Sequence, residues 1–355
     1  CMRQRILPVL VFLLAALLLT PLALGKFPAL SLPSFAPQSA DEEDLGWIGE
    51  SAPSSRASQA EEVMLPADSP LDITEFKILN SATGQVETVS VRDYVRGAVA
   101  AELPATFHAE AMKAQAVAAH AWALHCALAQ RENPDPALKG ADFSADPDHL
   151  KGYARAEDIK ATYGNMADEY WDKITTAADS VMDYVLLYDG EPIQAVYHSC
   201  SIGVTESAEN VWQASVPYLV PVESEGDLIA PAAEAEVTFT SAEMRALLTA
   251  AFDGLVLGDN PALWLSPVSY TESGYIKVGN LTVTGKEVRA ALDLRSASFA
   301  ISYDSAEDLF TIHTQGYGHG VGLSQYGADY MARQGADFKE ILTHYYTGVE
   351  LAVLD

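Results

Sequence analysis

The sequence predicts a mixed α+β fold, with helices and antiparallel strands arranged in two lobes. Three observations predict it. Two helical periods follow one another between Val91 and Gln130, short strand-like segments dominate after Tyr184, and the two kinds of element do not alternate regularly as a parallel βαβ sheet requires. The 355 residues, 49% of them apolar, can bury one large core or two modest ones.

The first element is not part of that fold. Ile6 to Leu24 is an almost unbroken apolar run, preceded by Arg3 and Arg5 and followed by Lys26. Nineteen residues at helical rise approach the thickness of a bilayer core. Arginines on the short side keep that end in the cytoplasm and send the rest outside. Residues 1–25 are therefore read as an uncleaved signal anchor. Cleavage as a signal peptide is the alternative, because Pro21 and Ala23-Leu24-Gly25 leave room for it. Cys1, ahead of Met2, reads as a fragment-boundary residue and is not a lipobox cysteine, which would follow the apolar run. Residues 26–72, rich in Ser, Pro, Ala and acidic residues, read as a disordered tether, and residues 73–355 as the folded domain.

Within the domain, Phe76, Ile78 and Leu79 start a strand. Val91, Val95 and Val99 mark a helix that Pro104 ends at Leu103, because a residue before proline is pushed out of helical geometry. A second helix, Ala109 to Gln130, carries ten alanines, which suit close packing. Asn133 to Tyr153 is a polar excursion, and Ile159 to Ala178 is helical. Tyr184 to Tyr188, the Asp189-Gly190 turn and Ile193 to His198 form a hairpin. Ser241 to Ala251 is a helix with a serine cap. Ser266 to Thr271, Tyr275 to Val278 and Leu281 to Val283 are short strands, and Lys286 to Leu292 is a short helix. Phe299 to Tyr303 pairs with Leu309 to Thr314, and helices follow at Ser324 to Gln334 and Phe338 to Tyr346.

A formal net charge of −28 excludes nucleic-acid binding by phosphate neutralisation and electrostatic capture of anionic polymers. Three cysteines make no disulfide framework, and Cys126 and Cys200 read as unpaired.

Three constellations could carry chemistry. Glu102 stands where a helix ends, so the negative end of the helix dipole and partial burial beside Val99 and Leu103 raise its pKa toward that of a general acid. The alternative is a surface glutamate on a fraying helix. His198 and Ser199 end a strand in small polar residues that could bind a polar ligand. With a nearby acid they could build a hydrolytic site; the alternative is a capped strand end. His198 and Cys200, on one face of the strand, could also be metal ligands, though no other cysteine lies near in sequence. Gly316 to Gly327 follows a strand and opens a helix, but Leu323 and Val321 fall where a dinucleotide loop needs its third glycine. Closely spaced glycines instead admit close approach of a second chain segment or a sugar, for which His319, Gln325 and Tyr326 supply hydrogen bonds and stacking. A purely structural turn is the alternative.

Taken together, these segments resemble the stage II sporulation protein D family, which includes amidase-enhancer relatives. The resemblance rests on Asp93-Tyr94-Val95-Arg96-Gly97 through Ala101-Glu102-Leu103-Pro104, followed by Glu110 to Ala119. It rests also on Tyr197-His198-Ser199 with Gly203, Thr205 and Glu206, on Gly318 to Ala328, and on His344-Tyr345-Tyr346-Thr347-Gly348. It spans roughly Ile73 to Val349.

The resemblance implies an extracytoplasmic peptidoglycan lytic transglycosylase that needs no cofactor. It would cleave the MurNAc-β-1,4-GlcNAc bond and leave 1,6-anhydroMurNAc ends. Glu102 would be the catalytic residue, and Gln115, His198, Ser199, His319, Gln325 and Tyr326 would line a glycan groove. The partners it implies are glycan strands stripped of stem peptides and an amidase or endopeptidase of the sporulation machinery active in engulfment. Some clostridial relatives carry zinc in the excursion. Ser144 and Leu150 stand where those thiols would be, and His149 alone cannot hold the ion, so no metal is expected. Cys200 and Ile202 depart from the family's usual threonine and glycine. Three rival readings remain: a hydrolase with Glu206 or Asp93 as second carboxylate, a non-catalytic wall-binding enhancer of an amidase, and a metalloprotein at His198 and Cys200.

Overall fold

The computed structural model describes residues 62–66, 69–231, 233–266 and 275–354, so the apolar segment 1–25 and most of the 26–72 tether lie outside the described residues. Among the described residues no helix is long and apolar enough to cross a membrane. Strand β1 (Glu62–Met64) and the buried Leu71 lie within the stretch read as tether, so ordered chain begins ahead of Ile73. Strands β2 (Glu75–Asn80) and β3 (Val86–Ser90) form an antiparallel hairpin that turns Phe76 and Ile78 inward.

Helix α1 (Val91–Glu102) starts on Ser90, whose hydroxyl accepts the Asp93 N–H, and buries Val91, Val95 and Val99 as their spacing predicts. It ends at Glu102 because Leu103, ahead of Pro104, is extended (φ −114°, ψ 140°). Helix α2 (Ala109–Glu132) runs through the core with Ala114, Ala118, Ala119 and Ala121 buried. Its small side chains let α1 and three later helices pack on it.

The excursion adds β4 (Phe143–Ala145), parallel to β2. The single helix expected over Ile159 to Ala178 is two, α3 (Ala156–Thr162) and α4 (Ala167–Asp179). Gly164, between them, sits at φ 56°, which no right-handed helix accommodates. The hairpin is also shorter than expected. Strand β5 (Tyr184–Tyr188) turns at Asp189-Gly190, but its return strand β6 is only Glu191–Pro192, and Pro192 has no amide to extend the ladder. Ile193 to Val196 leave the sheet through tight turns closed by Ala195 N–H to Ile193 O and Val196 N–H to Gln194 O. Tyr197–His198 then forms a separate strand, β7.

Helix α5 (Ala208–Trp212) and strand β8 (Glu234–Thr240) were not expected from the sequence. Helix α6 (Ser241–Ala251) is capped by Thr240 in a reciprocal box with Glu243, not by Ser241 as expected. Strands β9 (Leu265–Ser266), β10 (Tyr275–Val278) and β11 (Leu281–Thr284) form one antiparallel sheet, and residues 267–271 of the expected strand lie outside the described residues. Helix α7 (Gly285–Leu292) precedes β12 (Ser298–Asp304) and β13 (Leu309–Gln315), which pair as expected, with β8 on the far side of β13. Met244, Trp264, Ile276, Val288, Phe310 and Ile312 gather here into a hydrophobic core distinct from the one around α2.

The chain closes with β14 (Leu323–Ser324), α8 (Gln325–Arg333), α9 (Phe338–Tyr345) and β15 (Glu350–Val353). Strand β14 lies parallel to β7, and β15 sits between β1 and β5. The β7–β14 pair brings the His198 region against the start of α8.

Candidate active site

Glu102, at the last position of α1, is half-buried. Its carboxylate accepts the Gly152 N–H and the side-chain amide of Gln325. Burial raises its pKa above the ordinary carboxyl value, and the two hydrogen bonds, which favour the charged form, oppose but do not cancel that rise. Burial is the leading cause. Gln325 also donates to the Gln115 side-chain oxygen at 3.4 Å. Gln115 is fully buried, and its amide nitrogen, without a hydrogen-bond partner of good geometry, stands beside the Tyr197 hydroxyl. Burial and Glu102 push the hydroxyls of Tyr94 and Tyr197 well above the ordinary phenol range, so both stay neutral. Glu102 is thus surrounded by uncharged polar groups from α1, α2, the excursion, β7 and α8.

The glycine loop is built for approach of chain to chain. Gly316, Gly318, Gly320 and Gly322 all have φ between 72° and 113°. A Cβ on Gly322 would lie 2.1 Å from the Val196 carbonyl oxygen, one on Gly318 2.7 Å from His198 Cβ, and one on Gly316 3.1 Å from the Cys200 carbonyl oxygen. His198 is buried, and its Nδ1–H donates to the Val321 carbonyl at 3.1 Å. His319 accepts the Val321 N–H at Nδ1, 3.1 Å away, and donates to the Tyr197 carbonyl. Both of its nitrogens therefore hold the loop, leaving a ring packed on Trp212 and His198 to meet anything else. Burial drives His198 to about 4 and His319 to about 3, so both are neutral near pH 7.

Asp227, fully buried, carried no local signal in the sequence, because a buried acid in a short turn has no periodicity. It accepts the Ser201 N–H (2.7 Å), the Ser201 hydroxyl (2.6 Å) and the Ser324 hydroxyl (2.5 Å). Ser324 in turn caps α8 by accepting the Gly327 N–H at 3.2 Å. Asp227 therefore fixes where Gln325 begins its helix. Gly152 was likewise missed, since nothing in the polar excursion says which amide returns to Glu102.

Of the residues singled out from the sequence, Glu102, Gln115 and Gln325 meet directly. Ser199 joins them through its carbonyl, which accepts the Tyr326 N–H at 3.0 Å, and the Tyr326 ring packs edge-on against Phe107 at 5.0 Å. His319 and Glu206 instead line an open cleft with Cys200, Ser296 and Gln315, whose lining does not include Glu102, Gln115 or Gln325. Among the described residues no group of three or more His, Cys, Asp or Glu could hold a metal. His149 contacts the Asp146 carboxylate at 2.9 Å, and burial pushes the Cys200 thiol up to about 11.

Comparison with known proteins identifies the family. A family described as Stage II sporulation protein matches residues 80–188, a span containing Glu102, Gln115 and Gly152. The chain is 33% identical over 292 residues to Stage II sporulation protein D of Bacillus subtilis (strain 168), covering 81% of this chain and 80% of that one. It is 32% identical over 288 residues to Stage II sporulation protein D of Bacillus amyloliquefaciens, with 81% and 80% covered. A protein of Bacillus subtilis (strain 168) named amidase enhancer is 25% identical over 311 residues, which cover 72% of this chain and 40% of that one. The chain belongs to the stage II sporulation protein D family.

Proposed function

We propose that this chain is a peptidoglycan lytic transglycosylase in which Glu102 acts alone, first as acid and then as base. The observation that carries the reading is the environment of Glu102: a carboxyl with a raised pKa, held by uncharged donors, with no second acid among the described residues acting on it. Asp93 lies nine residues earlier on the same helix, roughly 13 Å along its axis, beyond the separation that two-carboxylate glycosidases use. Glu206 sits across the glycine loop, its backbone N–H donating to Gly320 and its carboxylate accepting from Asn210. A single carboxyl suffices if the attacking group belongs to the substrate. Glu102 would protonate the glycosidic oxygen as the C1–O4 bond breaks. The C6 hydroxyl of the muramic acid would close on C1, and the Glu102 carboxylate would take its proton. The product is a 1,6-anhydro ring, no water is consumed, and the acid is regenerated.

Gln325, which acts on Glu102 directly, and its chain neighbour Tyr326 would contribute to a glycan groove, together with Ser199 and His198. Membership of the stage II sporulation protein D family supports a role in sporulation. The wider setting has two sources: the sequence supports an N-terminal membrane segment and a domain outside the cytoplasm, and the family resemblance implies strands already stripped of stem peptides and an amidase partner in engulfment. The amidase-enhancer relative favours a second reading, in which the chain binds wall and activates an amidase without cutting. Incubating the full chain with peptide-free glycan strands and weighing the products separates them. Fragments ending in 1,6-anhydroMurNAc that vanish with Glu102→Gln support the transglycosylase. Binding without scission, together with amidase stimulation that survives Glu102→Gln, supports the enhancer. Reducing ends in place of anhydro ends would support the hydrolase.

A further inference from the structure

One of the two donors to Glu102, the Gly152 N–H, comes from a segment with no helix or strand of its own at that point. Polar contacts hold it instead. One guanidinium nitrogen of Arg155 donates to both oxygens of Glu87, at 2.9 Å and 3.2 Å, and the other donates to Asp148 at 2.7 Å. The buried Asn80 donates to the same two carboxylates, at 2.9 Å to Glu87 and 3.2 Å to Asp148. The Tyr153 hydroxyl donates to Glu87 at 3.2 Å. Asp148 and Arg155 therefore bracket Gly152 in the chain, and both are anchored to the β2–β3 hairpin. On the other side, Ala154 N–H donates to the Gly97 carbonyl at 3.0 Å, and a Cβ on Gly97 would lie 2.2 Å from the Ala154 oxygen. An isolated surface ion pair would fix little, but a connected network with a forked guanidinium fixes geometry.

We infer that Arg155 is a positioning residue for Glu102: by joining Asp148 to Glu87 it holds the 146–154 turn against α1, so that the Gly152 N–H meets the Glu102 carboxylate. Its consequence for turnover rests on the function proposed above; the geometry does not. The titratable groups facing Glu102 are Tyr94 from α1 and Tyr197 from β7, both neutral, and Gln325 and Gln115 carry no charge. Losing Gly152 removes a donor that favours the charged form, so Glu102 then titrates at higher pH.

The test uses the full chain in detergent with 13C-labelled glutamate, the Glu102 signal being assigned by its loss in Glu102→Gln. In Arg155→Met, the Gly152 amide should exchange at least tenfold faster while the Val99 and Leu103 amides of α1 are unchanged. Glu102 should titrate at higher pH, the alkaline limb of strand cleavage should move the same way, and Arg155→Lys should recover part of both. Unchanged Gly152 exchange and Glu102 titration in folded Arg155→Met would overturn the inference. If Arg155→Met does not fold, Glu87→Gln, which keeps size and loses charge, is read by the same two signals. A wild-type chain that cuts no glycan would remove the proposed function, yet exchange and titration would still decide the role of Arg155.

Discussion

The side-chain amide of Gln325, at the first position of α8, donates to the carboxylate of Glu102, at the last position of α1. The contact joins two helix ends that are distant in sequence. It makes the ionisation of Glu102 depend on where α8 starts, which Ser324 and Asp227 decide.

Replacing Gln325 with methionine should therefore raise the Glu102 pKa further, since the lost hydrogen bond favoured the charged form. A general acid must be protonated to act, so activity is lost as pH rises through that pKa. The alkaline limb of the rate profile should move to higher pH, while the rate at its plateau falls about tenfold or more as the acid loses orientation. Strand cleavage measured across pH checks both. A limb that moves to lower pH would mean the contact does not serve the acid.

Glu102→Gln should remove about 10²- to 10⁴-fold of the rate, the usual share of a general acid, without unfolding the chain. The sign of its stability effect follows from the raised pKa. Glu102 contributes stability fully present below its unfolded value near 4.5, where both states are protonated, and lost as pH rises through the folded value. Glutamine mimics the protonated form at every pH. Urea unfolding should thus find Glu102→Gln at least as stable as wild type at pH 7 relative to their difference at pH 4. A variant that is relatively less stable at pH 7 would contradict the burial of this carboxyl.

How much of this was legible in the sequence follows from what each residue depends on. Helix α1 and its end at Glu102 were legible because valine spacing and Pro104 act locally. The β12–β13 pair was legible for the same reason. Strand β8 was not, since Glu234, Ala235 and Glu236 have little strand character and the segment is a strand through pairing with β13. The hairpin after β5 was overextended because Val196 and Tyr197 look like strand residues whichever partner they take, and their partner is β14. Gly152 and Asp227 act through chain segments far away, and a linear pattern carries no trace of which amide or hydroxyl will face them.

His198 and His319 should be neutral but opposite tautomers. His198 donates from Nδ1 to a carbonyl, whereas His319 accepts at Nδ1 and donates to the Tyr197 carbonyl. Long-range 15N correlation spectra of the imidazoles at pH 7 should show one ring protonated at Nδ1 and the other at Nε2. Neither should titrate above about pH 5, given values near 4 and 3. Because both lie below the ordinary 6.5, the stability they contribute is present above that value and lost as pH falls toward 4. Two rings of the same tautomer would break the assigned network.

Gly335, just after α8, and Gly322, in the glycine loop, offer a comparison between backbone strain and collision. Gly335 has φ 101° with nothing within 4 Å of a built Cβ, so Gly335→Ala carries only the strain of that backbone region, about 1–2 kcal/mol. Gly322 has φ 72°, and its Cβ would lie 2.1 Å from the Val196 carbonyl oxygen, a backbone atom that cannot swing aside as a side chain does. Gly322→Ala must therefore push β14 off β7, and Ser324 and Gln325 follow directly in the chain. The expected outcome is a loss in denaturant midpoint clearly larger than for Gly335→Ala. Activity should fall further than stability does, because Gln325 is drawn away from Glu102. Equal midpoints for the two variants would mean that the loop can retreat from Val196. The close approach would then be incidental, and the placement of Gln325 would rest on the Asp227–Ser324 contact alone.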